Sequence, residues 1–149
     1  MADVWSKLNL KDQAEIVVVN APSSFESEIA ALDGVTVRRK AAGAKRIAFF
    51  LGFVTTHKEL DALAKVLGKK TDGDAVVWVA YPKSTSRTYT SEIARDTGND
   101  ALGEAGFEPV RMIAIDEDWS AKRFRRAEFI QTMTRPRAVR FSKAGRNRK

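Results

Sequence analysis

Residues 46–86 read RIAFFLGFVTTHKELDALAKVLGKKTDGDAVVWVAYPKSTS, and the order of apolar and polar positions along them decides the fold. RIAFFLGFV is a near-continuous apolar run, as expected of a strand buried on both faces. THKELDALAKVLGKK changes the period. Leu60, Leu63 and Leu67 share one helical face, Thr56 and Glu59 have capping-box spacing, and Gly68 lies near the stop. AVVWVAY is another buried strand, and it ends in Tyr81-Pro82-Lys83 among hydroxyls and cations. Strand, helix and strand at this spacing predict a βαβ unit on a parallel sheet.

Outward from this unit the same alternation continues. EIVVVNA predicts a first strand stopping at Pro22. SSFESEIAALDG follows with Phe25, Ile29 and Leu32 at helical spacing, Ser23 and Glu26 placed as a capping box, and Gly34 past the end. VTVRRK is a short extended piece. Beyond the polar loop come a brief helix around NDALGEAGF, the strand VRMIAID and a final strand AKRFRRAEFI, antiparallel and at or near an edge. The prediction is an α/β fold, a three-layer Rossmann-like sandwich, mostly parallel with a C-terminal antiparallel strand.

The net charge of +7 has one source. Arg135, Arg137, Arg140, Lys143, Arg146, Arg148 and Lys149 all fall in the last 18 residues, which hold no acid, so the rest of the chain is balanced. The expected organisation is one α/β domain over 1–131 and a basic, disordered tail over 132–149. The absence of cysteine excludes disulfides, thiol catalysis and thiolate metal sites. His57 is the single histidine, so no metal site is expected. No apolar run approaches the ~18 residues of a membrane helix. The first residues lack the layout of a secretory signal, and the cytoplasm follows by default.

Parallel strands bring their carboxyl ends to one edge, where ligands of such sheets bind. The predicted strand ends deliver Asn20, Pro22, Ser23 and Ser24; Thr55, Thr56 and His57; Tyr81, Lys83, Ser84, Thr85, Ser86 and Arg87; and Asp116, Asp118 and Trp119. Ser23 and Thr56 also open helices, whose free N–H groups attract anions, although capping alone accounts for both residue types. PKST fails as a phosphate loop, because Val77 and Pro82 stand at the two glycine positions. No Gly-x-Gly-x-x-Gly follows the first strand, and no Gly-x-Ser-x-Gly supports a serine nucleophile at Ser84 or Ser86.

VVVNAPSSF, LGKKTDGDAVVWVAYPKSTS, SEIARD and EAGFEPVRMIAIDEDWSAKRFR together resemble small bacterial proteins of domain-of-unknown-function family 3052, over about residues 14–126. The resemblance implies an architecture and a joint importance of the Trp-x-x-Tyr-Pro-Lys and Asp-x-x-Trp-Ser motifs, but no activity. More loosely, the chain is similar to the later half of class I methyltransferases, where a helix ending in a glycine turn leads to an apolar strand and an antiparallel strand closes the sheet. It departs from them in lacking the glycine-rich cofactor loop, and 149 residues is short for that fold. A relative that has lost the cofactor is the expectation.

The preferred reading is a non-catalytic binding or regulatory module for an anionic small molecule or an acidic protein segment. Lys83 and Arg87 would supply charge, Ser23, Ser84 and Thr85 hydrogen bonds, and Tyr81 and Trp119 stacking surface, with Asn20 and Asp116 beside them. No cofactor is specified. The alternatives are nucleic-acid association through Arg135, Arg137, Arg140, Lys143, Arg146 and Arg148, and a small transferase on a phosphorylated or nucleotide substrate with Asp116 as general base.

Overall fold

A computed structural model describes residues 4–41, 44–71, 73–93 and 100–130. The elements are α1 (Val4–Lys7), β1 (Glu15–Val19), a 3-10 turn (Ser23–Phe25) running into α2 (Glu26–Ala30), β2 (Thr36–Arg38), β3 (Phe49–Phe53), α3 (His57–Lys70), β4 (Val76–Pro82), α4 (Asp100–Glu104), β5 (Phe107–Ala114), β6 (Trp119–Arg126) and a 3-10 turn (Ala127–Phe129). The basic tail lies outside the described residues.

The strands form one sheet in the order β2-β1-β3-β4-β6-β5. β1 pairs in parallel with β2 and with β3, and β3 pairs in parallel with β4. β5 overshoots to the outer edge, and β6 returns antiparallel into the gap between β4 and β5. The predicted mostly parallel sandwich with an antiparallel C-terminal strand is the observed fold. β6 is next to the edge, so not all of its charges face solvent: Lys122 is 4% exposed, with its ammonium 5.4 Å from the Tyr81 ring centre.

The all-buried pattern of β3 and β4 follows from apolar layers on both faces. On one face, Phe50, Val77, Val79, Phe107 and Phe124 pack beneath Leu60, Leu63 and Leu67 of α3 and Leu102 of α4. On the other, Leu51, Phe53, Trp78 and Trp119 pack against Trp5 and Leu8 of the N-terminal segment and Phe25 and Ile29 of the α2 region. Trp5 and Trp78 each donate their indole N–H to a backbone carbonyl, of Glu28 and Leu8 respectively, which ties the N-terminal segment down.

α3 approaches β3 at Gly52, where a Cβ would stand 2.6 Å from Leu63 Cδ1 and 2.7 Å from Phe50 Cε1. No real Cβ sits so close, so one neighbour must move. Gly52→Ala is expected to cost about 1–2 kcal/mol by overpacking, read as a lower urea midpoint with an unchanged slope.

Candidate functional site

The carboxyl edge of β1, β3 and β4 gathers most of the polar residues between strands and helices, and much of it is closed by the chain's own side chains. α3 begins with the predicted capping box. Thr56 Oγ1 accepts from Glu59 N at 3.2 Å, and Glu59 Oε1 accepts from Thr56 N at 3.2 Å and Thr55 N at 2.9 Å. The same carboxylate oxygen accepts from the hydroxyls of Thr55 and Thr56. Partial burial would raise the Glu59 pKa, but these donors outweigh it and hold the carboxyl below its usual value. A second carboxylate arrives from the loop after β4: Glu92 Oε1 accepts from His57 N at 2.9 Å, while Glu92 N donates to Thr55 O. The amides that made this helix start a candidate anion site therefore already hold two internal carboxylates.

The loop after β4 is stitched to the β5–β6 turn as well. Lys83 N donates to Asp118 O, and Ser86 Oγ donates to Asp118 Oδ1 at 2.9 Å while accepting from Tyr89 N at 3.1 Å. Asp116, expected as a ligand group or general base, shapes that turn: its Oδ1 accepts from the amides of Asp118 and Trp119 at 2.8 and 2.9 Å. Tyr81 and Trp119 do not offer the expected stacking surface, being 4% and 3% exposed. Tyr81 points into the α3 side of the core. Trp119 lies between Phe53 and Tyr89, at ring-centre distances of 5.1 and 4.9 Å, and its indole N–H finds no acceptor among the described residues. Ser84, Thr85 and Arg87 are exposed and Lys83 half-buried.

The turn after β1 differs. Asn20 takes the left-handed conformation, φ 59°. Ser23 begins a 3-10 turn whose first hydrogen bond runs from Phe25 N to Pro22 O, so the amides of Ser23 and Ser24 precede any helical pairing. The Ser23–Glu26 capping box expected here does not form. Glu26 is taken instead by Arg39, whose two terminal nitrogens reach its two oxygens at 2.8 and 2.7 Å. That charge-assisted pair lowers the Glu26 pKa and raises that of Arg39. Asn20, Ser23 and Ser24 remain exposed. Of the predicted site residues, Asn20 and Ser23 form this open turn, while Lys83, Asp116 and Trp119 belong to the stitched part of the edge. The closing groups Glu92 and Tyr89 were missed in the sequence, where nothing local marks a contact made across 35 residues. Glu59 was visible as a cap.

Among the described residues no group of three or more His, Asp or Glu side chains could hold a metal ion. No described helix is long and apolar enough to cross a membrane. The tail cations Arg135, Arg137, Arg140, Lys143, Arg146 and Arg148 lie outside the described residues.

Neither a family model nor a curated protein matches the sequence, so the resemblance to family 3052 is not supported. Solved structures do match the fold. A SAM-dependent methyltransferase from Aquifex aeolicus has a TM-score of 0.57 at 13% identity, over 83% of this chain and 87% of that one. A putative type 11 methyltransferase from Sulfolobus solfataricus has 0.53 at 7%, over 89% and 92%. The fibrillarin pre-rRNA processing protein of Methanococcus jannaschii has 0.51 at 11%, over 77% and 67%. Likeness at these identities is likeness of fold. Coverage this high on both sides corrects the expectation that the chain, short for the methyltransferase fold, matches only its later half. These neighbours also overturn the non-catalytic binding or regulatory module as the preferred reading, and neither the tail-mediated nucleic-acid role nor the small transferase on a phosphorylated or nucleotide substrate fits better. The chain has the Rossmann-like fold of the methyltransferases it is similar to.

Proposed function

We propose that this protein is a small-molecule methyltransferase dependent on S-adenosylmethionine, with the cofactor at the turn between β1 and α2. The observation that carries the reading is the sheet order β2-β1-β3-β4-β6-β5 with its reversed β5–β6 hairpin, in a fold similar to solved methyltransferases over most of both chains. The bound cofactor would supply a methyl group on a positively charged sulfur, activated without further help from the protein.

The turn fits such a group in its backbone. Asn20 provides the left-handed bend for which a glycine is the usual residue, and asparagine is among the few others that adopt it at modest cost. The amides of Ser23 and Ser24 are donors ahead of the helical pairing and suit the carboxylate of the cofactor's amino-acid end. The departure lies after β2. A dinucleotide-binding sheet carries there an acidic residue for a ribose, whereas this chain has Arg38, ion-paired with Glu15, and Arg39, paired with Glu26. A nucleoside moiety would thus have to be held without a carboxylate from β2. The loop after β4 is tied to the start of α3 by Glu92 and to the β5–β6 turn by Ser86, which narrows this edge and favours a small acceptor over a macromolecular one.

Calorimetric titration of the full chain with S-adenosylhomocysteine is expected to give saturable binding. Ser23→Pro removes one amide donor at the first position of the turn, where the proline ring's φ is tolerated. It should weaken binding about tenfold, equivalent to about 1.4 kcal/mol, while leaving the melting temperature in place. Unchanged affinity in Ser23→Pro would sink the placement at this turn, and absence of binding by the unaltered chain would sink the cofactor assignment.

A further inference from the structure

The α1-side face of the β5–β6 hairpin carries an arrangement that the methyl-transfer reading does not use. Arg111 and Arg123 are direct cross-strand partners, and Arg125 follows two residues on, along the same face of β6. Trp78 pairs with Arg123 across the β4–β6 ladder, and the Arg111 guanidinium lies 6.0 Å from the centre of the Trp78 ring. Like charges directly opposite in an antiparallel pair repel, so an anion between Arg111 and Arg123 would be favourable.

One carboxylate of the described chain is bonded to one end of this row. Asp74 takes Arg125 with both oxygens, at 2.7 and 2.6 Å, and Glu108, 1% exposed, is Arg125's cross-strand partner. Neither Arg111 nor Arg123 has a hydrogen-bonded carboxylate among the described residues. The Nε–H of Arg123 is buried with no acceptor among them. Burial, then Arg125 and more weakly Arg111, lower the pKa of the Arg123 guanidinium against the pull of Asp74. Leaving such a donor dry and unpaired is unfavourable, and the fold keeps it beside a second, exposed guanidinium that has no carboxylate partner among the described residues.

We propose that Arg111 and Arg123 form a binding site for the phosphate group of a small phosphorylated molecule. Two guanidinium forks on neighbouring strands, whose Cβ atoms are about 5 Å apart in such pairs, suit one tetrahedral oxyanion that accepts several charge-assisted hydrogen bonds. The buried Trp78 ring beneath Arg111 fixes the floor. The site is separate from the proposed cofactor turn. Trp78 lies four residues before the carboxyl end of β4, roughly 13 Å along the strand, and on the β6 side of the sheet, away from β1. Two forks match one phosphate better than a stripe tracking a nucleic-acid backbone.

The full chain should be titrated with inorganic phosphate at constant ionic strength, balanced with chloride, while the arginine side-chain Nε–H resonances are followed. The expected result is a saturable shift of Arg123 and Arg111, with Arg38 and Arg39, whose carboxylate partners lie elsewhere, unmoved. Arg111→Gln changes an exposed edge-strand residue and should lower phosphate affinity at least about tenfold with the fold intact. Arg123→Lys keeps the charge but removes the Nε–H, and should lose affinity by a similar factor. An unmoved Arg123 resonance, equal shifts with chloride, or unchanged affinity in Arg111→Gln would overturn the site. A single-stranded oligonucleotide bound more tightly than phosphate through these two arginines would overturn the small-molecule assignment.

Discussion

Trp78→Ala is expected to lower the stability of the protein by about 3–5 kcal/mol, the range for large aromatic deletions in a core and a large share of the roughly 5–15 kcal/mol that holds a domain folded. Trp78 is fully buried at the middle of the sheet, between β3 and β6, and belongs to the layer that α1 and α2 cover. Its removal leaves a cavity beneath Leu8, which is itself 0% exposed, and strips the Leu8 carbonyl of the 2.7 Å indole hydrogen bond. The damage should be graded along the chain. Leu8 N to Val4 O and Leu10 N to Trp5 O close the N-terminal turns that the indole anchors, so these amides should lose exchange protection first. Trp78→Phe keeps most of the volume and loses the hydrogen bond, and should cost appreciably less. Equal losses for the two variants would assign the effect to the hydrogen bond and not to the cavity. Chemical denaturation measures both.

The strands were legible because burial writes them plainly. FFLGF and VVWVAYP have no charged or amide side chain to place on a solvated face, so both had to lie inside a layered sheet. Strand order was less legible. Nothing in AKRFRRAEFI shows that β6 inserts beside β4, since that depends on where β5 lands. Lys122 is buried because β6 is paired on both sides and Tyr81 lies close to its ammonium.

Two capping boxes with one spacing had different fates, and the difference is physical. At Thr56 the carboxylate of Glu59 is bonded, among the described residues, by backbone amides and hydroxyls and by no guanidinium, and the box closes. At Ser23 the carboxylate of Glu26 has a guanidinium available from Arg39, and a bidentate charged pair outcompetes one amide. Arg39 is 13 residues away in sequence, and local reading cannot weigh it. The candidate site divides the same way. That strand ends share an edge follows from parallel pairing, but Glu92 on His57 N and Ser86 on Asp118 are tertiary contacts, and they decide which part of the edge is closed.

Glu59→Ala is expected to cost about 2–3 kcal/mol, more than an ordinary cap, because a single carboxylate serves four donors. Two are the amides of Thr55 and Thr56 and two are their hydroxyls, at 2.9 to 3.3 Å, all on Oε1. Alanine leaves the amides at the junction of β3 and α3 without this acceptor, in a partly buried position where water replaces it only in part. Glu59→Gln keeps an acceptor oxygen of the same reach and should recover about half of the loss. The two variants differ from the parent in pH dependence as well. The folded pKa of Glu59 lies below its unfolded value near 4.5, so its contribution is complete above that value and is lost as pH falls through the folded pKa. Chemical denaturation from neutral pH down through the carboxylate range should show this decline in the parent chain and a shallower one in both variants. An identical slope in Glu59→Gln would mean that other carboxylates, with Asp74 beside Arg125 and Glu26 beside Arg39 the first to test, carry the acid dependence. A cost below about 0.5 kcal/mol for Glu59→Ala, the level of an ordinary surface change, would show that Glu92 alone suffices to hold the start of α3 in place.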